Sequence, residues 1–198
     1  MNCYKTDIFQ QSIFSFKLDL DLNGLNNYCL EYEKKNKSRS MGNCTGFESD
    51  NLDFNIPIIN KLSCLILNNV YYVSKKYFKL NKLLVISSLW FNINRHKDHN
   101  LKHNHPNSLF SGVFYSKIPD NSGFLKFYNS ESAEIFFSGI DMIEYNKYNS
   151  SSYLLKPENS FLHIFPSFLS HYVQPNLSET EERISFSFNT NITESLNN

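Results

Sequence analysis

Alanine occurs once in this chain, at Ala133, and arginine three times, at Arg39, Arg95 and Arg183. There are also only six glycines, six prolines and one tryptophan, while about one residue in seven is asparagine. Asn, Lys, Ile, Phe and Tyr have AT-rich codons, and Ala, Arg, Gly and Pro have GC-rich ones. The skew points to an AT-rich genome, viral or from a streamlined microbe, and marks the scarce residues as the ones to inspect. The four cysteines, Cys3, Cys29, Cys44 and Cys64, are widely spaced with no C-x-x-C pair. That excludes a zinc–thiolate site and argues against a disulfide framework, so reduced thiols in the cytoplasm of a microbe or an infected host cell are expected. Long apolar runs are missing too. Leu62–Val73 and Leu83–Ile93 fall short of the roughly 20 residues that cross a bilayer, and Met1–Leu20 lacks a signal-peptide core, so no membrane association is expected. Nor is there an excess of charge. The 19 basic and 19 acidic side chains cancel, which excludes a protein held to nucleic acid by bulk charge.

What is present is apolar and aromatic: 41% of the 198 residues are hydrophobic and 16% carry aromatic rings. That is enough for one sizeable core, and the length suits a single domain over residues 1–198. Residues 1–80 read as mixed and helical. Leu22–Lys37 offers a partial apolar face at Leu25, Cys29, Leu30 and Tyr32. Pro57 suits the first turn of a second helix, which carries Ile58, Leu62, Leu65, Ile66, Val70 and Val73 at helical spacing. The polar stretch Ser40–Asp53 between them reads as a loop. From about residue 82 to 190 the texture changes to strands: Leu83–Ile93, Leu109–Ile118, Gly123–Tyr128, Tyr153–Leu155, Phe161–Phe165, His171–Val173 and Arg183–Phe188. The last alternates, with Ile184, Phe186 and Phe188 on one face and Arg183, Ser185 and Ser187 on the other. The fold class is α+β, mainly β: helices packed on one face of a rolled antiparallel sheet, as in a sandwich or barrel.

Histidine carries the chemistry. Four of the six fall within residues 96–105, and His103-Asn104-His105 is an H-x-H pair. At a strand edge, residues i and i+2 point to one face, so both rings can meet one ion. Neutral imidazole suits iron, copper, nickel and zinc. His171, between two apolar strands, is well placed to add a third ligand. His96 and His99 sit in the charged stretch R-H-K-D-H-N and read as solvated loop residues; His163 reads as a packed or edge histidine. A lone Arg in a last strand is most often a surface charge. The joint order, H-x-H, a distal His, then Arg183-x-Ser185, is what separates this chain from a chance pair.

That order resembles the double-stranded β-helix of the iron(II)/2-oxoglutarate-dependent oxygenases. More narrowly, several phrases are similar to a 2OG-Fe(II) oxygenase family common in phage, cyanobacterial and marine bacterial genomes. They are Trp90-Phe91-Asn92, His103 through Tyr115, Pro119 with Gly123-Phe124-Leu125, Phe165 through Asn176, and Glu182 through Asn189. Gly46-Phe47-Glu48-Ser49-Asp50 resembles that family's upstream loop, so the likeness spans about residues 43–190.

The resemblance implies His103 as the first iron ligand and His171 as the distal one. It implies that Arg183 pairs with the C5 carboxylate of 2-oxoglutarate, for which a planar bidentate guanidinium is suited. It further implies a hydroxyl from Ser185, an amide from Asn92, and Tyr115 lining the co-substrate pocket. The chain departs from the superfamily at position 105, where a carboxylate is usual. His105 either completes a three-histidine site or leaves the iron on two histidines, as in the aspartyl/asparaginyl β-hydroxylases that His103-x-x-Pro106 also resembles. The implied cofactors are Fe(II), 2-oxoglutarate and O2, and the implied reaction is hydroxylation coupled to decarboxylation of 2-oxoglutarate to succinate. The substrate is a small molecule or a peptide or protein side chain. The alternatives are a cupin-like metal protein that does not use 2-oxoglutarate, and a non-catalytic β-sandwich. Residues 124–153 form either a lid or simple packing.

Overall fold

The computed structural model describes residues 3–39, 45–137 and 139–193; Cys44 and the start of the expected loop at 40–44 lie outside them. In chain order the elements are β1 (Phe14–Lys17), α1 (Leu22–Lys35), β2 (Phe47–Glu48), α2 (Pro57–Lys76), β3 (Leu83–Asn94), β4 (Asn100–His103), β5 (Phe110–Lys117), β6 (Leu125–Tyr128), α3 (Glu131–Phe137), β7 (Ser152–Leu155), β8 (Phe161–Pro166), β9 (His171–Val173) and β10 (Arg183–Thr193). Both long helices stand where the apolar spacing put them. Asp21 caps α1 by accepting from the Gly24 N–H at 2.9 Å, which satisfies one of the donors a helix start leaves open. Pro57 opens α2 at a position where its missing N–H is harmless.

The strands form two antiparallel sheets. The larger has the order β1-β8-β5-β10-β3-β2 and the smaller β4-β9-β6-β7. Strand alternation divides the large sheet's two faces. Leu89, Phe91, Ile93, Phe110, Phe114, Leu162, Ile164, Ile184, Phe186 and Phe188 meet Leu25 and Cys29 of α1 and Ile59, Leu62, Ile66, Val70 and Val73 of α2 in one buried core. Gly112 sits on that face because the Phe188 ring occupies the place of a side chain; a Cβ there would collide with the ring and with the His163 carbonyl. The opposite face looks toward the small sheet. There a second, smaller cluster of Val113, Tyr115, Leu125, Phe127, Phe165 and Leu169 joins the two sheets.

Three elements depart from the sequence reading. The segment before α1 contributes β1, paired with β8 through Ser15↔His163. The expected loop contains β2, which pairs with β3 through Phe47↔Ile93 and Glu48↔Asn92. Residues 131–137 form the short helix α3, with no buried residue. In addition, β10 runs on to Thr193, five residues past the expected end, because β3 and β5 flank it on both sides. Cys3, Cys29 and Cys64 are free thiols. No helix among the described residues is long and apolar enough to cross a membrane.

Candidate metal centre

The smaller sheet brings three histidines together. His103 ends β4 and stands directly opposite His171, the first residue of β9. Their ring centroids are 4.4 Å apart, and His105 lies 5.0 Å from His103 and 5.2 Å from His171. One nitrogen from each ring lies within 4.8 Å of the others, a group that could hold a metal ion. The H-x-H pair converges differently from the expectation. Only His103 is in a strand; His105 sits in the turn that follows, so the chain's reversal, not strand alternation, points it back at the site.

Ser167 holds that turn in place. Its carbonyl accepts from the His105 N–H at 3.0 Å and its N–H donates to the Leu109 carbonyl at 3.2 Å, while its hydroxyl donates to the Ser108 carbonyl. One residue in the β8–β9 connection thus ties His105 and the segment after it to the chain that leads into His171. Backbone carbonyls then orient two of the rings. His103 Nδ1 lies 2.6 Å from the Leu101 carbonyl and His171 Nδ1 2.9 Å from the Leu169 carbonyl. Each Nδ1 therefore carries the proton, which leaves Nε2 as the free lone pair. Burial pushes the His171 imidazole down to about 3, helped by His103 beside it, and pushes His105 down to about 4 for the same two reasons. Both rings are neutral at pH 7, the state in which imidazole binds a metal. Phe165 and Phe127 pack against His171 at 5.0 and 5.9 Å between ring centroids.

The cluster opens onto a cavity of about 370 Å³ between the two sheets, within the range of small-molecule sites. Asn92, Tyr115 and Ser185 line it together with the three histidines. Asn92 and Ser185 are paired across β3 and β10, and Ser185 and Tyr115 across β10 and β5. The polar face of β10 continues along the cavity through Ser187 and Asn189; Ser187 accepts from the Asn92 amide at 3.4 Å, and Asn189 accepts from the Ser111 hydroxyl at 2.7 Å.

Arg183 shares this face but is not among the lining side chains. It is 1% exposed, not a surface charge, and its Nη1 donates to the carbonyls of Ser122 and of Gln174, the latter at 3.0 Å. Its charge acts on Tyr115, pulling that hydroxyl down while burial pushes it up to about 12. Of the other histidines, His163 is buried against Ser15, its Nδ1 2.8 Å from the Ser15 hydroxyl. His96 and His99 lie outside the cavity lining, as expected of loop residues.

Sequence reasoning missed one wall of the cavity. Arg39 donates from Nε and Nη2 to Glu48 Oε1 at 2.9 and 2.7 Å. Its guanidinium lies 5.5 Å from the centre of the Trp90 ring, and that ring lies 6.1 Å from His105. Arg39, Glu48 and Trp90 all line the cavity. The pairing of Glu48 with Asn92 across β2 and β3 creates this wall; the only hint in the sequence was the scarcity of Arg and Trp.

The fold is similar to that of several solved 2-oxoglutarate enzymes. A prolyl-4-hydroxylase from Pseudomonas putida is 12% identical, with 93% of this chain and 94% of that one covered and a TM-score of 0.66. The viral collagen prolyl hydroxylase of Paramecium Bursaria Chlorella virus-1, in complex with 2OG, is 12% identical over 90% and 94% of the chains at 0.60. HygX from Streptomyces hygroscopicus, with nickel and 2-oxoglutarate bound, is 11% identical over 92% and 84% at 0.64. These likenesses establish the double-stranded β-helix. No curated protein sequence matches the chain. The family model described as "Putative 2OG-Fe(II) oxygenase" matches residues 88–189, just over half of the chain. That stretch holds every strand from β4 to β9 and the whole histidine cluster, and the chain belongs to this family of iron- and 2-oxoglutarate-dependent oxygenases.

Proposed function

We propose that His103, His105 and His171 hold Fe(II) at the mouth of the inter-sheet cavity. 2-Oxoglutarate then lies along Asn92, Tyr115 and Ser185 toward Arg183. The observation that carries this reading is the convergence of three imidazoles, two with Nδ1 fixed on a backbone carbonyl, on one cavity between the sheets. The donor set fits the metal, since imidazole nitrogen binds Fe(II) and the cavity leaves room for further ligands. When bound, iron with 2-oxoglutarate and O2 supplies the oxidising power that hydroxylates an unactivated C–H while 2-oxoglutarate becomes succinate and CO2.

The chain's own residues do the rest. Arg183, held by two carbonyls behind the lining on the same strand face as Ser185, offers a fixed positive charge for the distal carboxylate of the co-substrate. Tyr115 stays protonated and donates from its hydroxyl, with Ser185 and Asn92 adding neutral donors. Phe127 and Phe165 exclude water behind His171. The three-histidine set is net neutral, so it leaves the bound ion more positive than a set with a carboxylate would, which strengthens its hold on an anionic co-substrate. The substrate is a small molecule or a peptide side chain, handled in a single domain, and the free thiols suit a reducing cytoplasm.

The test is turnover of 2-oxoglutarate to succinate by the Fe(II)-loaded protein and by His105→Ala, His105→Gly and His105→Asp. Loss of iron affinity in the Ala and Gly variants, with partial retention in Asp, supports the three-histidine site. Unchanged affinity and turnover in all three would remove His105 from the ligand set.

A further inference from the structure

Apart from the imidazoles, the side chains lining the cavity are neutral amides, hydroxyls and apolar groups, with one exception: the Arg39–Glu48 pair. Glu48 is 5% exposed at its side chain and Arg39 26%. The pair stands at the wall where Trp90 separates it from His105, so a ligand touching it sits one aromatic ring away from the histidine cluster. Asn51, Ser88, Ser187 and Asn189, which line the same cavity, carry no charge.

We propose that Arg39 and Glu48 are the specificity-determining pair of this cavity, and that they select a zwitterionic substrate, a free α-amino acid. Its carboxylate faces the Arg39 guanidinium and its ammonium faces the Glu48 carboxylate. The argument is one of charge complementarity in a poorly hydrated space. A purely anionic ligand at this wall meets the Glu48 carboxylate, and a purely cationic one meets Arg39. A neutral polyol satisfies the amides and gains nothing from the pair. Arg39 and Glu48 already compensate each other; a ligand with adjacent opposite charges adds a second partner of the right sign to each of them and extends the pair into a ring of four alternating charges. A peptide-internal residue lacks both charges. The same carboxylate makes this wall unfavourable to 2-oxoglutarate, a dianion, which the charge of Arg183 on the β10 side attracts; the two sides thus sort co-substrate from substrate.

The inference rests on the oxygenase reading for the position of the substrate beside the metal, and its test separates the two. Trp90 is the single tryptophan of the chain and lies between the pair and His105, so its fluorescence reports ligands at this wall. Free L-amino acids, their N-acetyl derivatives and their amides are titrated into the metal-free protein and into protein loaded with Ni(II) and 2-oxoglutarate, with thermal shift as a second readout. The expected result is that at least one free amino acid binds, and that N-acetylation and amidation each weaken it tenfold or more. Arg39→Gln alone strands a buried carboxylate and can fail to fold, so the variant to use is Arg39→Gln with Glu48→Gln, an uncharged hydrogen-bonded pair. It is expected to weaken the parent amino acid at least tenfold and to erase discrimination against the acetylated and amidated forms. The proposal is overturned if Ni(II) and 2-oxoglutarate bind but no free amino acid does, if the derivatives bind as tightly as the parent, or if the double variant keeps the selectivity. Failure of Ni(II) and 2-oxoglutarate to bind would instead sink the oxygenase reading, while the metal-free titration still reports on the pair.

Discussion

The two sheets are built to different standards. The larger has six strands, one of twelve residues and one of eleven, and buries a continuous apolar face under two helices. The smaller has four strands of three or four residues, and a core of six buried side chains shared with its neighbour. It leaves Leu101, Tyr153 and Leu154 about half exposed. Yet the smaller sheet carries His103 and His171. Stability sits in one sheet and metal ligation in the other, so stability and ligation are separable by mutation.

The largest break comes from the large sheet. Phe186→Ala opens a cavity in the helix-covered core and is expected to cost about 3–5 kcal/mol. Chemical denaturation should show that loss, while Ni(II) affinity of the molecules still folded stays close to the parent's.

Acid attacks the boundary between the sheets next. Burial holds the His163 imidazole down at about 4, from its ordinary 6.5. Its neutral form therefore stabilises the fold in full above pH 6.5, and that contribution is lost as pH falls from 6.5 to 4, because the unfolded chain takes up the proton first. The drop is on the order of 3 kcal/mol by pH 4. Stability measured against pH should flatten over that window in His163→Gln. In the metal-free chain His105 and His171 add a loss of the same sign.

Ser167→Ala comes third. It removes one hydroxyl bond from the turn that aims His105, for about 1 kcal/mol of stability. Its larger effect should be on the site, roughly tenfold in Ni(II) affinity by calorimetry, as for other groups that support metal ligands. If stability falls and affinity does not, the turn is structural only. The smallest effect is at the edge of the small sheet, where Lys102 of β4 pairs with Glu134 of α3 at 2.7 Å. Glu134→Gln should change stability by less than about 1 kcal/mol, and appear instead as faster hydrogen exchange in residues 131–137.

The large sheet was the legible half of the sequence. Pro57 with an apolar stripe, and the alternation of Ile184, Phe186 and Phe188, are local signals of burial against one partner. The site was legible through its order of scarce residues, which also set aside the cupin and non-catalytic readings once the family match was in hand. What stayed hidden depends on pairing across distance. β2 is two residues long and exists because β3 offers it partners. β1 is four residues held by β8. The shape of the H-x-H turn, and the Arg39–Glu48–Trp90 wall, follow from contacts that no local pattern encodes. Arg183 kept its expected face but gained a burial that its type alone argues against.

The central claim, that the three clustered histidines and Arg183 serve one iron and 2-oxoglutarate site, is tested most directly by anaerobic titration of the metal-free protein with Fe(II) and then 2-oxoglutarate. The account predicts a visible charge-transfer absorption band that appears only with both, disappears in His103→Ala and His171→Ala, and needs much more 2-oxoglutarate in Arg183→Gln. A band that survives both histidine substitutions, or no band in the parent protein, would contradict it.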